Sequence, residues 1–198
     1  MTTTTPSTDG YLDGSGEPAR VAVVFHSGSG HTRVQAEAVH RGAARVPGIR
    51  ADLIPVDELE SRWDVLDAAD AIVFGTPTYM AGPSAPFKAF LDATAPRWQE
   101  QQWKDKLATL QALALFAMQH SMVWVGLGLL PGNHTSTGSA EDLNRLAGFL
   151  GAMAQSNADQ PPDVVPPLAD QRTAEHLGNR VAQAARRWRR AGVVAEVA

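Results

Sequence analysis

The chain contains no cysteine. That absence removes disulfides, thiolate nucleophiles, Cys-ligated metals and any reductase built on a Cys pair. No apolar run approaches the roughly 20 residues of a membrane-spanning helix, so no membrane partner is expected. The amino terminus has neither a basic start nor an apolar stretch, which argues against a signal peptide and for a cytoplasmic location. A basic surplus is missing too. Lys and Arg number 17 against 21 Asp and Glu, a net charge of −4, whereas a general nucleic-acid binder carries the opposite balance. His134 and Asn133 have no second metal-type ligand nearby, so no metal is expected. What is present is ordinary: 198 residues, 44% hydrophobic and 19% charged, enough for one α/β domain with a real core.

Residues 1–18 are rich in Thr, Gly and Pro and poor in apolar groups. They are expected to form a disordered tail ahead of one domain over 19–192. Arg20–His26 and Ala71–Thr76 are apolar on both faces, as in central strands of a parallel sheet. Ala51–Val56 reads as an edge strand, because Pro55 lacks a ladder donor. Helical spacing recurs over His31–Arg45, Ser84–Thr94 and Asp170–Ala191. A further strand is expected at Met122–Gly128 and a short helix at Ala140–Leu150. Alternating strands and helices give an α/β class with a doubly wound parallel sheet.

Chemistry concentrates where the first strand meets the first helix. Ser27-Gly28-Ser29-Gly30-His31-Thr32 puts two glycines and three hydroxyls where helix N–H groups are unpaired, which is a ready anion site. Rival motifs fail on single residues. A P-loop needs Gly-Lys-[Ser/Thr], and no lysine is present. A dinucleotide fingerprint needs a third glycine where Arg33 stands. A nucleophile elbow on Ser29 needs glycine at 27. A phosphate monoester on Ser27, Ser29 and Thr32 remains, beside the plainer reading of a Gly-Ser turn that starts a helix. Thr76-Pro77-Thr78-Tyr79-Met80-Ala81 follows the third strand, so it lies at the same sheet edge and could pack on a flat ring. His26 reads as structural rather than catalytic. No acid–base dyad stands out, so no catalytic residue is assigned. The basic run at Arg186–Arg190 complements a helix carboxyl end.

These loops resemble the flavodoxin-like NAD(P)H:quinone oxidoreductases, the tryptophan-repressor-binding-protein type. The matching stretches are Ser27–Thr32, Phe74-Gly-Thr-Pro-Thr-Tyr79, Phe90-Leu-Asp92, the arm with Trp98 ahead of Lys106-Leu107, and Gln119–Val125. The resemblance implies a three-layer α/β/α fold. It implies FMN with its phosphate on Ser27, Gly28, Ser29, Gly30, His31 and Thr32, and its ring against Pro77, Thr78, Tyr79, Met80 and Ala81. It also implies electron transfer from NADH or NADPH to a quinone, a homo-oligomer (dimer or tetramer), Trp98 bordering the substrate side of the flavin, and His120 near the ring across a subunit contact. One departure stands out. Lys106-Leu-Ala108 runs straight into an Ala/Leu-rich stretch, Thr109–Gln119, with high helix propensity. Relative to the family a segment is missing between Ala108 and Thr109. The expectation is that the helix persists and the usual fourth strand and third flavin loop are lost. A non-enzymatic flavodoxin-like FMN-binding or assembly module is the alternative function.

Overall fold

The computed structural model describes residues 17–109 and 113–195. Its main sheet is parallel and five-stranded, in the order β2-β1-β3-β6-β7. The strands are β1 (Ala19–Phe25), β2 (Ile49–Pro55), β3 (Ala71–Gly75), β6 (Leu107–Thr109) and β7 (Val123–Trp124); β4 (Thr78–Tyr79) and β5 (Gly82–Pro83) form a separate hairpin. Side chains alternate along β1. Val21, Val23 and Phe25 face one core with α1 (His31–Ala44) and α6 (Leu168–Ala195). Ala22 and Val24 face the other, which includes Ile72, Phe74, Phe87 and Phe90. That second layer is built by a 3-10 helix (Val56–Ser61), α2 (Trp63–Asp67), α3 (Ala85–Ala93) and α5 (Ala114–Gln119). The result is a three-layer α/β/α fold with both faces of the central strands covered, as parallel sheets require.

β2 is the edge strand that Pro55 demands, paired in register from Ala19–Ile49 to Phe25–Pro55. α1 stops beside Pro47-Gly48 as expected. The expectation of a lost fourth strand is corrected. β6 pairs with β3 at Ala71–Leu107, Ile72–Ala108 and Val73–Thr109, and with β7 on its other side. Without it, β3 and β7 would present unpaired polar backbone inside the fold. Three residues close that gap, and the helix shrinks to Ala114–Gln119 in consequence. The strand runs unbroken through Ala108–Thr109. Residues 110–112, where the loss of the third flavin loop is expected, lie outside the described residues.

β7 pairs over only two residues, short of the expected Met122–Gly128. Beyond it, α6 side chains serve the backbone: Arg180 Nε donates to the Gly126 carbonyl (2.9 Å) and His176 Nε2 to that of Leu127 (3.2 Å). The helix expected at Ala140–Leu150 is absent; turns and bends fill that stretch. Asn144 and Ala147 adopt positive φ (54° and 57°). Tertiary bonds outweigh propensity there. Asn144 Oδ1 accepts the Gly148 N–H at 2.7 Å, the Asn144 N–H donates to Thr173 Oγ1, and Arg145 forms a bidentate pair with buried Asp170 (2.7 and 2.8 Å). Residues 1–16 of the expected tail lie outside the described residues. Pro18, within it, is tied down: its carbonyl accepts from Arg189 at 3.0 Å.

Candidate functional site

β1 and β3 end side by side, the His26 N–H donating to the Gly75 carbonyl at 3.0 Å. The loop after β1 turns into α1 through Gly30, at φ 87° and ψ −24°. Ser27 Oγ accepts the Arg33 N–H at 3.1 Å, and the Val34 N–H closes on the Gly30 carbonyl. Among the described residues, the N–H groups of Gly28 to Thr32 and the hydroxyls of Ser29 and Thr32 have no hydrogen-bond partner. The first turn of α1 carries no acidic residue. Free donors therefore cluster at the positive end of a 14-residue helix dipole. A phosphate monoester fits that donor set.

The loop after β3 forms the β4–β5 hairpin, with Thr78 opposite Pro83 and Tyr79 opposite Gly82. Its two-residue turn, Met80-Ala81, has φ of 46° and 61°, the left-handed pair of a type I′ hairpin. Met80 is 100% exposed at the tip and Tyr79 49%. Tyr79 leans back onto the first loop: a Cβ on Gly28 would lie 2.9 Å from the phenol oxygen. Pro77 and Thr78 lead from β3 to that hairpin. The sequence-predicted residues Ser27–Thr32 and Pro77–Ala81 are thus brought to one sheet edge.

Two further contacts carried no legible signal in the sequence. Ser84 is buried, its Oγ 2.9 Å from His26 Nδ1 and 3.3 Å from Thr76 Oγ1. The connector before α6 folds onto the first loop: His31 Nε2 donates to the Gln160 carbonyl at 2.9 Å, and Pro162 rests on Gly30. Ser84 was legible as a helix cap; its tie to His26 spans 58 residues and leaves no local pattern.

The structure does not bring Trp98 and His120 to these loops within one chain. α3 runs from Ser84 at the loop edge to the opposite, amino-terminal edge of the sheet. Trp98 follows there on α4 (Ala95–Gln99), 40% exposed. Neighbouring Arg97 pairs with Asp67 at the end of α2 (2.7 and 2.8 Å) and stacks over Trp63 at 3.9 Å. Trp103, buried, donates to the same carboxylate at 2.8 Å. Burial alone would raise the pKa of Asp67, but the bonds from Arg97 and Trp103 and the charges of Arg97 and Lys106 bring it below the usual carboxylate value. His120 also sits at this far edge, just before β7. It is buried against Trp103 and Phe116, at ring separations of 5.1 and 4.6 Å. Thr94 Oγ1 gives its proton to the Leu91 carbonyl, so at 3.0 Å it accepts from His120 Nε2–H. Among the described residues His120 Nδ1 is buried without a partner, and burial lowers the pKa of the ring. Among the described residues no group of three or more His, Asp or Glu could hold a metal ion, and no helix is long and apolar enough to cross a membrane.

Residues 55–157 match the family model for NADPH-dependent FMN reductase. A flavodoxin of Pseudomonas aeruginosa, FldP, is 36% identical over 184 positions, covering 83% of this chain and 96% of the relative. An NAD(P)H dehydrogenase (quinone) of Archaeoglobus fulgidus is 31% identical over 204 positions, covering 84% and 97%. Among solved structures, a WrbA-like flavodoxin protein from Agrobacterium tumefaciens superposes with a TM-score of 0.62 at 34% identity, covering 85% of this chain and 98% of that one. Both alignments to the curated relatives are longer than the stretch of this chain that they span, since 83% of 198 residues falls well short of 184. Those relatives carry residues that this chain lacks.

Proposed function

This chain belongs to the flavodoxin-like, WrbA-type family of NADPH-dependent FMN reductases, and on that premise we propose that it passes two electrons from NADH or NADPH to a quinone through bound FMN. One observation carries the reading: the unpaired N–H groups of Gly28–Thr32 and the exposed Tyr79-Met80 hairpin stand at the same sheet edge. The first loop would hold the phosphate through those amides with Ser29 and Thr32. Pro77, Thr78, Tyr79, Met80 and Ala81 would border the ring. FMN supplies the hydride chemistry when bound, so the protein's task is position and electrostatics. That fits the lack of a catalytic dyad in the loops. Trp98 stands at the far edge of the sheet, so it would wall a flavin only on a neighbouring copy. His120, buried against Trp103 and Phe116, would back that wall from inside its own chain.

The test is direct. Flavin-free protein should quench FMN fluorescence on titration, and the loaded protein should oxidise NADH or NADPH when given benzoquinone. No flavin binding would sink the proposal. Light scattering that gave a monomer with FMN bound would remove the roles of Trp98 and His120. A second reading, an FMN-binding module without turnover, is favoured by the residues that both curated relatives carry and this chain lacks. FMN binding without NAD(P)H oxidation would select it.

A further inference from the structure

We propose that His26 is a positioning residue: through Ser84 and Thr76 it fixes the spacing between the loop that would take a phosphate and the hairpin that would take the ring. The inference rests on the FMN reading above and concerns how the two half-sites are held together.

Ser84 stands at the N-cap position of α3, where a serine ordinarily accepts the N–H groups of the first turn. It makes no such bond. Its hydroxyl, 1% exposed, turns instead to His26 Nδ1 (2.9 Å) and Thr76 Oγ1 (3.3 Å). The protons can be counted. Thr76 Oγ1 donates its one proton to the Pro77 carbonyl at 3.0 Å and accepts the Ser84 N–H at 3.1 Å. It can therefore only accept from the Ser84 hydroxyl. That uses the proton of Ser84, so Ser84 Oγ accepts from His26, whose Nδ1 carries hydrogen. The chain of donors runs His26 to Ser84 to Thr76 to Pro77, from the last residue before one loop to the start of the other. Ser84, at the centre of the chain, is shielded from water, where such bonds hold geometry well. Gly28 and Tyr79 touch in front of it.

A ligand that touches both loops gains from their fixed spacing, because binding one end pre-places the other. A ligand that touches one loop gains nothing. FMN is of the first kind and lumiflavin, a ring without phosphate, is of the second.

The experiment titrates flavin-free wild type, H26L, H26N and S84A with FMN and with lumiflavin, following flavin fluorescence. Asparagine places its amide N–H near the position of Nδ1–H, so H26N keeps the donor. H26L and S84A should each weaken FMN by about tenfold, the scale of one lost buried hydrogen bond. H26N should stay within about threefold of wild type on the same scale. Lumiflavin affinity should be the same in all four proteins. FMN affinity unchanged in H26L and S84A would overturn the proposal, as would equal losses for FMN and lumiflavin, or H26N no better than H26L. Should H26L fail to fold, S84A and H26N carry the comparison. Wild type that binds no FMN would overturn the function itself, a result distinct from wild type and H26L binding FMN alike.

Discussion

Gly30→Ala should be the most damaging small change in the first loop. Two costs add there. At φ 87° a Cβ strains the backbone, about 1–2 kcal/mol for an L-residue. The new Cβ would also lie 2.8 Å from Cγ of Pro162 and 3.1 Å from its Cβ. Pro162 is a closed ring fixed to its own backbone, so it cannot swing aside, and the connector must lift. Lifting it strains the bond from His31 Nε2 to the Gln160 carbonyl, worth about 0.5–1.5 kcal/mol net. The sum is about 1.5–3.5 kcal/mol. Gly28→Ala provides the control. Gly28 has no left-handed φ, and its Cβ would meet only the tip of the Tyr79 phenol at 2.9 Å. That side chain is half exposed and can rotate, so the cost should stay under about 1 kcal/mol. Urea unfolding of both variants and wild type, fitted with a common slope, measures the difference. FMN affinity should fall with Gly30→Ala, because relaxing φ turns the N–H groups of His31 and Thr32 away from their common target. Equal midpoints for the two variants would refute the reasoning.

Three more outcomes are expected. Ser29→Glu with Thr32→Glu should abolish measurable FMN binding through like-charge repulsion at the helix start while leaving lumiflavin unaffected; unchanged FMN affinity by titration would remove the phosphate assignment. His120 is held neutral by burial, with its folded pKa below its unfolded value of about 6.5. Its contribution is therefore complete above about pH 6.5 and is lost as pH falls toward the folded pKa, so melting temperature should decline from pH 7 to 5, and His120→Phe should flatten that decline. Asp67→Asn should cost about 1–2 kcal/mol at pH 7, because the bonds from Arg97 and Trp103 lose their charged acceptor and the amide nitrogen cannot take the second Arg97 bond. The folded pKa of Asp67 is depressed, so this penalty is present above the unfolded carboxylate value and shrinks as pH falls through the folded one; urea midpoints at pH 7 and pH 3 check it.

The sequence by itself determined the central strands, the two loops and the α/β class. β1 and β3 are apolar on both faces, and only a sheet covered on both sides accepts them. Gly28, Gly30 and the hydroxyls around them mark a strand-to-helix turn with open amides, a local property that local residues set. Pro55 marked the edge strand and Pro47-Gly48 the end of α1. The tertiary structure decided what depends on distant partners. Residues 107–109 have helix propensity, yet they are strand, because β3 and β7 each need a hydrogen-bonding neighbour. Residues 140–150 have a helical pattern, yet Asn144 and Arg145 spend their bonds on Thr173 and Asp170 of α6. The family resemblance placed Trp98 and His120 beside a flavin. The direction of α3 across the sheet puts them at the opposite edge of their own chain. The His26–Ser84 link joins residues far apart in sequence, and only folding brings them within hydrogen-bond distance.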